Sequence, residues 1–260
     1  MGQRAHRFIV AAAAWEWIAV ATGAFQSSSR IALNVSRSGS AHLVLGVGAL
    51  LAVLGLCFGK GPARTARWLS FASLVLSGVT GWISPGSAGR VVGHAVFSHL
   101  AVGLITAAAV LTSASWSQPA KAMNAGSWKA LRPAAQWTPP IILLQIAMGA
   151  LYRHQIFGVM PHMLGAMLVA ILALVVSTTL VQHFGDQAQL KSSASALLGV
   201  VLAQVCLGIG AFLMLLLGAG NTPAFVWLTT AHVCAGSLTF AASVVTGMQA
   251  RRYLTTCEPS

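Results

Sequence analysis

The residues best able to do chemistry here are histidines, and their types and spacing point to metal ligation. The chain has eight. His6 and His183 read as ordinary polar residues at one boundary of an apolar chain. His42, His94, His99, His154, His162 and His232 all fall toward the other boundary. An imidazole that close to hydrocarbon is costly unless it holds something. The stretch QIAMGALYRHQIFGVMPHMLGA, residues 145–166, joins two apolar runs and brings Arg153, His154 and His162 together in sequence. Two imidazoles from facing helices can ligate one haem iron axially. His42 with His94, and His162 with His232, form the two candidate pairs. Zinc is poorly served, because no Cys, Asp or Glu joins the histidines. His99 follows His94 by five residues, about 140° further around a helix. Only one of the two can face a central group, and His94 is preferred. Its Gly-His-Ala context matches Ala-His-Val at His232. Arg153, Arg90 and Arg37 lie toward the same boundary, where a guanidinium can pair with a carboxylate such as a haem propionate. The alternative for each is a solvated loop charge. His154 reads as a contact at the edge of such a group rather than a ligand. Glu16, between Trp15 and Trp17, is the only acid inside an apolar run, and an intramembrane carboxylate is a functional candidate by default.

These residues need long apolar helices to position them. Of 260 residues 57% are hydrophobic and only 7% charged, against about 25% charged in an ordinary soluble domain. Mean hydropathy is +0.79. Several apolar runs reach the roughly 20 residues that cross a bilayer as a helix. The reading is an all-α polytopic membrane protein with eight transmembrane helices, at about 8–26, 41–58, 67–84, 91–113, 137–153, 160–182, 194–217 and 225–249. The first run reads as a retained span rather than a cleaved leader. The net charge of +12 would suggest nucleic acid in a soluble protein. Here the basic residues sit in short loops, so they speak of orientation and not of a nucleic-acid partner. With the N-terminus inside, the outer loops hold Arg30, Arg37, Arg90 and Arg153, and the other Lys and Arg lie inside. Both termini are therefore expected to be cytoplasmic, in a bacterial-type plasma membrane.

The connection 114–136 is the longest and divides the chain into halves, 1–125 and 126–260, expected to be pseudo-symmetric four-helix bundles. The second helices of the halves begin His-Leu-Val-Leu-Gly at His42 and His-Met-Leu-Gly at His162. Such repeats build sites at equivalent places in each half. Gln145 and Gly149 share the i, i+4 spacing of Gln204 and Gly208, and all four read as helix-packing residues. Trp68, Trp82, Trp137 and Trp227 lie near span ends and read as interfacial anchors. Cys57, Cys206, Cys234 and Cys257 show no CxxC spacing and support neither a disulfide nor a zinc site. A transporter, which also uses repeated helical units, remains a weaker alternative.

QIAMGALYRH followed by PHMLGA, then QVCLGIGAF and TTAHVCAGSLTFAASVV, with GHAVFSHL and SAHLVLG in the first half, resemble the haem A synthase family of cytochrome oxidase assembly proteins. The similarity covers nearly the whole chain and is stronger from Gln145 onward. It implies eight spans in two halves, each with a His pair on its second and fourth helices. It implies haem b on His162 and His232, and haem O on His42 and His94, oxidised at a methyl group to the formyl of haem A. The implied partners are the lipid bilayer, a haem O synthase or other cytochrome oxidase assembly factors, and a second copy of the chain. Two features depart from the family. Its members usually carry a glutamate three residues before the first His, where this chain has Gly39. Many carry a Cys pair in that loop, and residues 27–40 have none. The competing expectation is a non-catalytic relative, a di-haem b-type electron-transfer protein or a structural haem-binding subunit of a respiratory complex.

Overall fold

A computed structural model describes residues 3–33, 64–82 and 88–255, with single positions at 47 and 54. Seven long helices account for most of them: α1 Gln3–Leu33, α2 Arg64–Trp82, α3 Ala88–Thr112, α4 Leu131–Arg153, α5 Val159–His183, α6 Ala188–Leu216 and α7 Pro223–Tyr253. They correspond to seven of the eight predicted spans. The remaining one, 41–58, lies outside the described residues except at positions 47 and 54, and His42, Arg37 and Gly39 lie outside them too. Six of the helices, α1 and α3 to α7, are long and apolar enough to cross a membrane. The chain is thus consistent with an all-α membrane protein. Most of these helices run beyond the predicted limits. α1 and α7 have 31 residues each, well over the roughly 20 needed for hydrocarbon, so their polar ends extend past the apolar stretch.

The distribution of side chains is that of helices packed in lipid. Small and hydroxyl residues are buried: Ser177, Ser237, Ser243 and Thr246 lie inside. Large apolar residues face outward: on α5, Leu164, Leu168, Ile171 and Val175 recur at helical spacing along one exposed face. Small residues allow close approach of helices inside, alongside the fully buried Ile105, Leu180, Leu190 and Leu197.

α4, α5, α6 and α7 form a closed ring, each packed on the next and α7 back on α4. α1 and α2 both pack with α3, where Ile9, Ala12, Ala66, Ile105 and Ala108 make a buried cluster. α1 and α3 lie against α7, and α3 also touches α4. α4 carries Pro139 and Pro140. Pro139 has no N–H to give the Ala135 carbonyl. α7 crosses that carbonyl with Gly247, where a Cβ would sit 2.9 Å from the oxygen. A glycine is required for that approach.

The predicted linker is short and partly ordered by the end of the chain. Met123–Asn124 pairs in parallel with Leu254–Thr255. Arg252 donates to the carbonyls of Ser115 and Gln118 and lies over the Trp116 ring, 4.5 Å from its centroid. The linker and the end of α7 therefore share one side of the helical array. The start of α1 lies on the side where α3 ends, since His6 Nδ1 is 3.1 Å from Thr112 Oγ1.

Candidate functional site

The opposite end of the array carries the predicted site. α4 turns into α5 through residues 154–158. His154 N–H bonds to the Ala150 carbonyl, and Ile156 N–H to that of Leu151. Gln155 takes a φ of 58°, an uncommon conformation for a side chain other than glycine. This tight reversal brings His162, one turn into α5, against the last turns of α4. Its ring lies parallel to Tyr152, with centroids 6.0 Å apart and planes within 9°. The Gln145 amide N–H groups bond to His162 Nδ1 and to its carbonyl, each at 2.8 Å. Gly149 supplies the space: a Cβ there would meet His162 Cε1 at 3.0 Å.

α6 and α7 repeat the arrangement. Gln204 Nε2 is 3.4 Å from His232 Nε2. A Cβ on Gly208 would meet His232 Cε1 at 3.0 Å, the same clearance as at Gly149. Gly165 and Gly236 on the histidine helices leave room for the Gln145 and Gln204 side chains in turn. Two Gln-x-x-x-Gly helices each carry a histidine of the following helix. The two imidazoles then lie near one another edge to face, with centroids 6.5 Å apart and planes at 88°. Two metal–nitrogen bonds of about 2 Å, with the ring radii added, separate trans imidazole centroids by about 6 Å. The 6.5 Å between the two rings is close to that separation.

The second unit is less complete than the first. His232 Nδ1 and Gln204 Oε1 are buried without partners. Buried polar atoms are ordinarily paired, so this end of the site has capacity for a further contact. A neutral imidazole has one lone pair, and both glutamines present N–H groups to it. Gln204, with one long contact, can turn its amide over so that Oε1 holds the His232 ring N–H, whereas Gln145 keeps its N–H groups on His162 Nδ1 and on the His162 carbonyl. The glutamines are thus placed to set the tautomer of each imidazole.

Arg153 ends α4 and reaches across to α1. It donates to the Ala24 carbonyl at 3.0 Å and to Ser28 Oγ, and Thr229 of α7 donates to the same Ser28 oxygen at 3.0 Å. The guanidinium is partly buried and pins α1 to the site. His154 is half-buried at the end of α4. Burial, with the nearby charges of Arg153 and Arg30, lowers its pKa below the ordinary imidazole value, so the neutral form is favoured.

In the first half, His94 Nδ1–H donates to the Thr80 carbonyl at 3.1 Å, which sets its lone pair on Nε2. His99 is deeply buried, with Nδ1–H donated to Ala95 O of its own helix at 2.7 Å. Arg90 is exposed at the start of α3. His42 lies outside the described residues, so the first pair is represented by His94 alone. The sequence reading assigned Gln145, Gly149, Gln204 and Gly208 to helix packing; they also support the imidazoles. Their shared i, i+4 spacing, each pair one helix before a histidine, was the available signal. Tyr152 had none.

Among the described residues no group of three or more His, Cys, Asp or Glu is placed to hold a metal ion. No family model, no curated protein and no solved structure matches the chain.

Proposed function

We propose that this is a haem-binding integral membrane protein built like haem A synthase. Haem b is held between His162 and His232. A second haem, haem O as substrate and haem A as product, is held by His94 with His42. The observation that carries the reading is the edge-to-face imidazole pair, 6.5 Å apart, each backed by the same Gln–Gly element. A haem bound there supplies the redox chemistry. The chain's own groups do the rest. His162 and His232 ligate, and Gln145 and Gln204 orient the rings. Gly149 and Gly208 let the helices close on them. Arg153 and His154, at the rim, meet a propionate. A hydrogen-bonded second shell of this kind fixes ring orientation and raises ligand basicity.

The arrangement of helices supports the two-half reading. Exchange α1, α2 and α3 with α4, α6 and α7. α1–α3 packing becomes α4–α7, α2–α3 becomes α6–α7, α1–α7 becomes α4–α3, and α3–α7 maps onto itself; all are present. α5 is then the counterpart of the span at 41–58. The basic residues favour both termini in the cytoplasm of a bacterial-type membrane. A cysteine at Ser117 should then resist, and one at Ser87 accept, a membrane-impermeant thiol reagent in intact cells.

A second reading, a di-haem b-type electron-transfer or structural subunit, is favoured by one residue. Gly39 offers no side chain where proton handling beside the methyl group would be needed. Co-expression with a haem O synthase in a host lacking haem A synthase, followed by haem extraction and mass identification, separates the two. Haem A that disappears in His42→Ala supports catalysis. Haem b alone supports the second reading. Protein without haem overturns both.

A further inference from the structure

The first half contains a buried acid that the proposed haem chemistry leaves unused. Glu16 lies in α1, 5% exposed. Facing it, α2 presents a buried row of hydroxyls at helical spacing: Ser70, Ser73, Ser77 and Thr80. Each has a defined partner. Ser70 donates to the Ala66 carbonyl, Ser73 to Ala101 of α3, and Thr80 to the Ser77 carbonyl at 2.8 Å. Ser77 differs. Its Oγ lies 2.6 Å from Glu16 Oε1 and 3.0 Å from the Ser73 carbonyl oxygen.

A serine hydroxyl has one hydrogen and two lone pairs. It can donate to the carbonyl or to the carboxyl group, not fully to both. Both contacts become good hydrogen bonds when the second hydrogen comes from Glu16. The acid O–H then donates to Ser77 Oγ, and Ser77 donates to Ser73 O. No cation pairs with Glu16 among the described residues, and an ionised carboxylate in hydrocarbon without a partner is far costlier than the neutral acid.

From this geometry we infer that Glu16 is a proton-binding site within the membrane, holding an exchangeable proton on a neutral carboxyl group bonded to Ser77. Release passes the proton to a water molecule, which becomes hydronium, and leaves the O–H electron pair on the carboxylate. The Ser77 hydroxyl then rotates from the Ser73 carbonyl to Oε1, where it stabilises the charge. Rebinding reverses both movements. Ser77 is the two-position element, and Thr80, one turn on, connects the same helix face to His94 through its carbonyl. The inference does not depend on haem.

Infrared spectroscopy of the full-length protein in vesicles at neutral pH tests it. Assignment is simple because the chain has only three acids, and Asp186 is exposed. The expected result is a carbonyl stretch of a protonated carboxylic acid that shifts down in D2O, disappears in Glu16→Gln and moves to higher frequency in Ser77→Ala. The wild-type spectrum decides even if the first variant fails to fold. Absence of an acid band, or loss in Glu16→Gln of carboxylate bands alone, overturns the protonated assignment. An acid band in wild type that Ser77→Ala leaves in place, or that does not shift in D2O, overturns the exchangeable site at Ser77.

Discussion

The Gln145–His162 and Gln204–His232 units share residue types, spacing and glycine clearance, yet they are not equally satisfied. Gln145 spends both amide hydrogens on His162, at 2.8 Å each. Gln204 makes one 3.4 Å contact, and its Oε1 and His232 Nδ1 remain buried and unpaired. The first unit is finished as a piece of protein structure. The second has polar capacity left over beside the neighbouring ring. The difference teaches that a repeated motif can be fully hydrogen-bonded in one copy and keep polar capacity in the other.

The largest expected effect comes from filling the glycines. Gly149→Leu and Gly208→Leu each drive a side chain into an imidazole already at 3.0 Å from the Cβ position. Overpacking of this kind costs about 1–3 kcal/mol and moves the ring. Both variants should lose nearly all of the haem b proposed between His162 and His232, measured as its low-spin signal per purified protein, and to the same extent. Unequal loss would break the equivalence of the two units.

A smaller effect sharpens the contrast. Gln145→Leu orphans the His162 ring nitrogen and should cost about 1–3 kcal/mol in denaturant unfolding in detergent. Gln204→Leu removes a buried unpaired oxygen with one long bond, so its stability cost should be under about 1 kcal/mol. Haem affinity should fall in both. Equal destabilisation would contradict the asymmetry.

The smallest effect is His154. Its folded pKa lies below the unfolded value. Below about pH 6.5 the unfolded chain therefore binds the extra proton first, and stability falls as pH falls. Above that value the contribution is flat. His154→Gln should flatten the stability profile on the acid side only, seen as the melting temperature against pH. An unchanged profile would place the pH dependence elsewhere.

Composition and apolar run length were enough to place seven helices, six of which are long and apolar enough to cross a membrane. Helix ends were less legible: α1 and α7 continue through polar residues, and nothing in hydropathy marks where a helix leaves lipid. His162 and His232 were legible as a pair from their parallel contexts. Their supports were not. A Gln and a Gly one turn apart look the same in sequence whether they serve packing or an imidazole, and only the neighbouring helix decides. The bond from Arg153 to Ser28 spans 125 positions, and no local pattern encodes it. Glu16 was visible as an odd acid in an apolar run; its serine partner on α2 was not.

The central claim is that His162 and His232 hold one iron between them. It is tested most directly by the low-temperature electron paramagnetic resonance and optical spectra of purified wild-type, His162→Ala and His232→Ala protein. The prediction is a low-spin, bis-imidazole haem b signal in the wild type that either substitution abolishes. Wild-type protein without that signal, or a signal that persists unchanged in both variants, would contradict it.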